Sequence, residues 1–146
     1  DPTLPSAVLE YFSSRGGSLL VLDNKDRRLK TPTLVKKPEI VAPDGASSVF
    51  FGGESSRPEG LTVNDAACRY DSTYRHNFYG TSAAAPHAAA VAALLKQAQP
   101  KASVSDIYGA LTRSAEDMGD AGYDYPTGHG FIQADRAYIE ITKPAQ

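Results

Sequence analysis

The 146-residue sequence carries a single cysteine, Cys68, so neither an intrachain disulfide nor a multi-cysteine zinc site can be built from it. One thiol leaves the redox compartment open. Neither charge sign is in excess: 15 Lys and Arg stand against 17 Asp and Glu, a formal charge of −2. That balance gives no electrostatic basis for coating nucleic acid or an anionic membrane. Long hydrophobic runs are missing as well. The longest uncharged apolar stretch, Ala83 to Leu95, is mostly alanine and too short for a membrane span. The chain opens Asp1-Pro2-Thr3 without a methionine or a signal-peptide pattern, and the expectation is therefore a piece of a longer polypeptide. What is present, 41% hydrophobic and 22% charged residues, suits a folded body of one-domain size rather than a disordered or fibrous one.

The first third of the chain reads as strands. Ser18 to Leu22 is a β-prone run, Asp23-Asn24-Lys25-Asp26 is a hairpin turn, and Arg27 to Val35 returns as a polar edge strand interrupted by Pro32. Glu39 to Ala42, closed by Pro43-Asp44-Gly45, suits a short strand covered on both faces. Ser47 to Phe51 is a further strand, and Gly52 to Tyr74, rich in Gly, Ser, Pro, Asn and Asp, is a long loop of unassigned role. Ala83 to Leu95 then holds eight alanines and no charged residue, which predicts a buried helix whose Pro86 falls in the first turn. Ser103 with Asp106 three residues on marks a capped helix whose stripe is Ile107, Ala110, Leu111 and Ala115. Asp117 to Gly130 is turn-rich, Phe131-Ile132 is a short apolar element, and Ala134 to Ile139 is a last helix. The order of elements points to an α/β layer structure.

Gly80-Thr81-Ser82 lies directly before the alanine helix. A hydroxyl there stands at a helix N-terminus, where partial positive charge and free N–H groups favour a developing oxyanion. The preceding glycine allows a sharp backbone path. On local pattern alone, the plainer reading makes Thr81 or Ser82 an N-cap for the first-turn N–H groups. Ala84 stands where a Gly-x-Ser-x-Gly elbow needs its second glycine, which argues against an α/β-hydrolase.

Gly80-Thr81-Ser82-Ala83-Ala84-Ala85-Pro86-His87 closely resembles the Gly-Thr-Ser-x-Ala-x-Pro-His segment around the nucleophile of subtilisin-like serine proteases, the subtilases of peptidase family S8. Phe12-Ser13-Ser14-Arg15-Gly16 is similar to that family's Phe-Ser-Ser-x-Gly, and Lys37-Pro38-Glu39-Ile40-Val41-Ala42-Pro43-Asp44-Gly45 to its Lys-Pro-Asp-Ile-x-Ala-Pro-Gly. Gly128-x-Gly130 followed by Ala134 and Ala137 resembles the family's Gly-x-Gly turn and final helix. Four blocks in family order reach from about Tyr11 to Tyr138. The resemblance implies a mostly parallel sheet with a buried central helix, and a serine endopeptidase acting on polypeptide substrates through an acyl-enzyme. It makes Ser82 the nucleophile, with its own backbone N–H in the oxyanion hole.

The family's Asp–His–Ser triad is not complete here. Neither Asp-Ser/Thr-Gly nor His-Gly-Thr/Ser precedes Ser82, and Asp44-Gly45 falls in a block where the family has no triad member. Residues 1–146 are thus expected to be the C-terminal part of one catalytic domain, inactive alone. Its expected partners are the N-terminal part that holds the Asp, the His and the oxyanion Asn, or further copies of itself through uncovered apolar surface. His87, five residues after Ser82, points away from it along a helix; His76 reads as a loop residue, His129 as a turn residue and Cys68 as a packed or loop thiol. The resemblance allows calcium, but Asp65, Asp71, Asp117, Asp120 and Asp124 show no EF-hand spacing and read as turn carboxylates, so no metal site is assigned. It also implies a secreted or cell-envelope location. The alternative reading is a non-catalytic subtilisin-like scaffold or protein-binding domain.

Overall fold

The computed structural model describes residues 7–47 and 77–143. Two compact units divide the chain, Asp1–Val41 with Val91–Gln146 and Ala42–Ala90, and the division falls within one helix.

In the larger unit, strands β1 (Leu19–Leu22) and β2 (Arg28–Leu34) form an antiparallel hairpin. Its turn is built on Asp23, whose carboxylate accepts from the Lys25 N–H at 2.8 Å and the Arg27 N–H at 3.1 Å. Asp26 takes the left-handed conformation there, φ 57°. The register shifts between Leu20 and Leu22, so Pro32, which has no N–H to donate, falls in the irregular stretch of β2. A ribbon of two strands covers neither face, and every residue of β1 is exposed.

Glu39 to Val41 joins two later segments. The Val41 N–H donates to the Gly130 carbonyl at 2.9 Å, the Ile132 N–H to the Val41 carbonyl at 3.0 Å, and the His129 N–H to the Glu39 carbonyl at 2.8 Å. This makes Val41 and Phe131 a parallel bridge, and Phe131 also pairs antiparallel with Glu116. The expected strand at Glu39 to Ala42 is therefore a single half-buried bridge, with no second neighbour among the described residues.

Two helices pack on this framework. The Ser103 side chain accepts from the Asp106 N–H at 3.1 Å while the Asp106 carboxylate accepts from the Ser103 N–H at 2.7 Å, so the capping box is complete at the start of α2, Val104–Ser114. α3 is Ala134–Thr142. Leu95, Ala110, Leu111 and Ala137 form the core, with Ile40, Val91, Ala92, Ile107 and Ile141 packed around them.

In the smaller unit, β3 (Ala46–Ser47) pairs antiparallel with β4 (Asn77–Phe78), and the helix α1, Thr81–Ala98, begins three residues after β4. The rest of the expected strand after Ser47, and the loop Gly52 to Tyr74, lie outside the described residues.

Helices mixed with short strand pairs confirm the α/β class. Two features of the expected architecture differ. Among the described residues the mostly parallel sheet is represented by the Val41–Phe131 bridge, because no crossover-linked strands lie beside it. The helix after Ser82 is not enclosed: between Ala83 and Leu95 only those two end residues are buried, and Leu94 is 59% exposed. An alanine helix needs a covering layer on each side, and the described residues do not supply one.

Candidate active site at the start of helix α1

Gly80 sets the geometry of the site. Its φ of 114° is a conformation that a side chain resists, and it turns the chain out of β4 and into α1. The Gly80 carbonyl accepts from the Ala83 N–H at 2.8 Å and the Ala84 N–H at 3.3 Å. The other two first-turn donors, the N–H groups of Thr81 and Ser82, meet no backbone acceptor among the described residues. Ser82 is exposed, the second residue of the helix.

Neither the Thr81 nor the Ser82 hydroxyl bonds a first-turn N–H among the described residues, so the capping alternative finds no support. Pro86 lies at the sixth helical position rather than in the first turn. It removes the N–H that would have bonded the Ser82 carbonyl, which leaves the backbone around Ser82 with fewer internal helix bonds than a regular α-helix has.

On the other side of Gly80 stands Asp44. Its carboxylate accepts from the Gly80 N–H, at 3.0 Å to Oδ1 and 3.2 Å to Oδ2, and from the Gly45 N–H at 2.7 Å. Gly45 lies close to Tyr79: a Cβ on it would come within 2.9 Å of the ring. The sequence places Asp44 in a closing turn and in a block with no triad member, and assigns it no role at the site. The available signal was that Asp44 occupies the glycine position of the Ala-Pro-Gly block.

The histidines separate. The His87 Nδ1–H donates to the Ala83 carbonyl at 2.8 Å, one turn back on its own helix, so that nitrogen is engaged away from the Ser82 hydroxyl. His129 is exposed and stacks edge-on against Tyr123 with ring centroids 5.3 Å apart. His76 and Cys68 lie outside the described residues.

Two of the carboxylates considered for calcium, those of Asp117 and Asp124, serve as turn acceptors. Asp117 accepts from the Gly122 N–H at 2.7 Å; Asp124 accepts from the Thr127 N–H at 2.7 Å and the Asp120 N–H at 3.2 Å. Burial acts to raise the Asp124 pKa, but the Thr127 hydroxyl and N–H and the Asp120 N–H outweigh it and hold the carboxyl below its ordinary value. Among the described residues no group of three or more His, Cys, Asp or Glu is arranged to hold a metal ion. Asp65 and Asp71 lie outside the described residues.

A helix N-terminus with an exposed serine and with N–H groups that meet no backbone acceptor among the described residues, entered through a glycine at positive φ, is chemically suited to nucleophilic attack with oxyanion stabilisation. Several known proteins are similar to parts of this chain. Bacillopeptidase F of Bacillus subtilis is 43% identical over 74 residues, 48% of this chain and 5% of that protein. Minor extracellular protease Epr of the same organism is 42% identical over 66 residues, 42% of this chain and 10% of that protein. The crystal structure of fervidolysin from Fervidobacterium pennivorans, a keratinolytic enzyme related to subtilisin, aligns with a TM-score of 0.43 at 38% identity, over 44% of this chain and 10% of that one. The chain thus spans a tenth or less of the length of these relatives. The subtilase family profile matches residues 5–130. A match over that much of the chain, with the four sequence blocks inside or across it, places this chain in the subtilase family.

Proposed function

We propose that this chain is the C-terminal, nucleophile-bearing part of a subtilisin-like serine endopeptidase domain. The observation that carries the reading is Ser82: an exposed hydroxyl on the first turn of α1 whose own N–H has no backbone acceptor among the described residues. In the complete domain a histidine from polypeptide outside this chain takes the proton from Ser82 Oγ, which attacks the scissile carbonyl. The Ser82 N–H and an asparagine from the same outside region stabilise the oxyanion. The leaving amine takes the proton from the histidine, and water then resolves the acyl-enzyme. An aspartate from that region orients the histidine.

The same reading gives the partners. The exposed Leu94 of α1 and the exposed leucines of β1 are apolar surface that the rest of the domain covers, or through which the isolated chain self-associates. The protein is secreted or belongs to the cell envelope, a reading supported by the extracellular protease Epr among its relatives. No helix among the described residues is long and apolar enough to cross a membrane.

A serine-reactive fluorophosphonate probe tests the activity. The full-length protein labels, Ser82→Ala in that protein does not, and residues 1–146 alone do not. Labelling that survives Ser82→Ala would remove Ser82 from the mechanism. No labelling of the full-length protein would leave the non-catalytic scaffold as the reading.

A further inference from the structure

We propose that Asp44 is the positioning residue of the nucleophile turn: its carboxylate fixes the Gly80 peptide from which Ser82 is set. The proposal rests on the reading of Ser82 as nucleophile.

The pairing of β3 with β4 explains why a carboxylate is needed. Ala46 faces Phe78 and Ser47 faces Asn77. Continued two residues further, the same antiparallel register sets Asp44 opposite Gly80. Gly80, at φ 114°, has already left the extended conformation, so a regular ladder cannot carry on there. The Asp44 side chain takes over the rung, receiving the Gly80 N–H on both carboxylate oxygens at 3.0 and 3.2 Å.

Gly80 is thereby held at both ends. Asp44 holds its N–H, and its carbonyl accepts from Ala83 and Ala84. With one side of the residue tied to the β3 end and the other to the first turn of α1, the two peptide planes around a residue with unusual freedom are fixed. Ser82 follows two residues later, so the direction of its N–H and hydroxyl depends on that clamp. Asp44 is itself oriented by the Gly45 N–H at 2.7 Å, and Tyr79 packs against the bare Cα of Gly45. A carboxylate close to a developing oxyanion would oppose it. Directed onto two N–H groups, the charge instead strengthens the hydrogen bonds that hold the turn.

The test uses the full-length protein and the fluorophosphonate probe, with inactivation rates measured against probe concentration to separate the limiting rate kinact from the affinity KI. A hydrogen bond to a charged acceptor is worth enough that Asp44→Ala is expected to lower kinact by roughly 10- to 100-fold, with KI unchanged. Asp44→Asn keeps one acceptor oxygen for the Gly80 N–H and is expected to recover part of that loss, to within about 3- to 10-fold of wild type. Wild-type kinact in Asp44→Ala would overturn the proposal. So would a loss that Asn does not relieve and that tracks a fall in melting temperature, since that is the signature of a purely structural role. If Asp44→Ala does not fold, Asp44→Asn decides alone: a reduced kinact at unchanged KI and melting temperature supports the clamp, and a wild-type kinact refutes it. Ser82→Ala run in parallel keeps the two readings apart, because labelling that survives it removes the nucleophile assignment and not the Asp44 geometry.

Discussion

Adjacent leucines on α1 differ sharply in burial. Leu95 is 1% exposed and sits among Ala110, Leu111 and Ala137, whereas Leu94 is 59% exposed. Leu95→Ala removes three carbons, about 2.4 kcal/mol at roughly 0.8 kcal/mol per buried CH₂. Its neighbours include two alanines that cannot expand into the gap, so a cavity cost adds to this and the expected total is about 3–5 kcal/mol. Within this chain Leu94→Ala removes little buried surface. If the missing part of the domain covers α1 as proposed, however, Leu94→Ala costs about 2 kcal/mol or more in the full-length protein. The assay is equilibrium urea unfolding of the full-length protein and its two variants, followed by far-ultraviolet circular dichroism. A Leu95→Ala loss below about 1 kcal/mol would refute the core assignment. A Leu94→Ala change within about 0.5 kcal/mol would refute the covering of α1, because that is the range of surface substitutions.

Asp124 makes stability depend on acid. Its folded pKa lies below the ordinary carboxylate value, so its contribution is present above the unfolded pKa of about 3.9 and is lost as pH falls through the folded value. The stability difference between wild type and Asp124→Asn is therefore expected to be constant near neutrality and to shrink below about pH 4; a difference that grows on acidification would contradict the hydrogen-bond assignment. His87→Gln tests the separation of the histidines. The His87 Nδ1–H is held by the Ala83 carbonyl, and the base is proposed to come from outside this chain, so fluorophosphonate labelling of His87→Gln in the full-length protein is expected to stay within about ten-fold of wild type; complete loss in a folded variant would make His87 part of the proton path.

Much of the molecule was legible because its signals are local. The Asp23 turn, the Ser103–Asp106 capping box, and the switch from irregular sequence to an alanine helix after Gly80 each depend on residues within four positions of one another. The start of α1 was less so. The helix begins at Thr81, which moves Pro86 inside it, and a helix boundary depends on the glycine turn as much as on propensity. The apolar run from Glu39 to Ala42, closed by Pro43-Asp44-Gly45, predicts a strand, but a bounded run does not say how many neighbours will pair with it.

The motif around Ser82 and the three blocks that accompany it are chemistry written in consecutive residues, and from them the family, the α/β class and the candidate nucleophile could be read directly. The contact between Asp44 and Gly80 could not. It joins residues 36 positions apart, and it exists only because β3 pairs with β4 in a register that brings the two together. Exposure followed the same division: an alanine run states that a helix is apolar, but whether Leu94 or Leu95 meets water depends on which neighbours the rest of the chain places beside it.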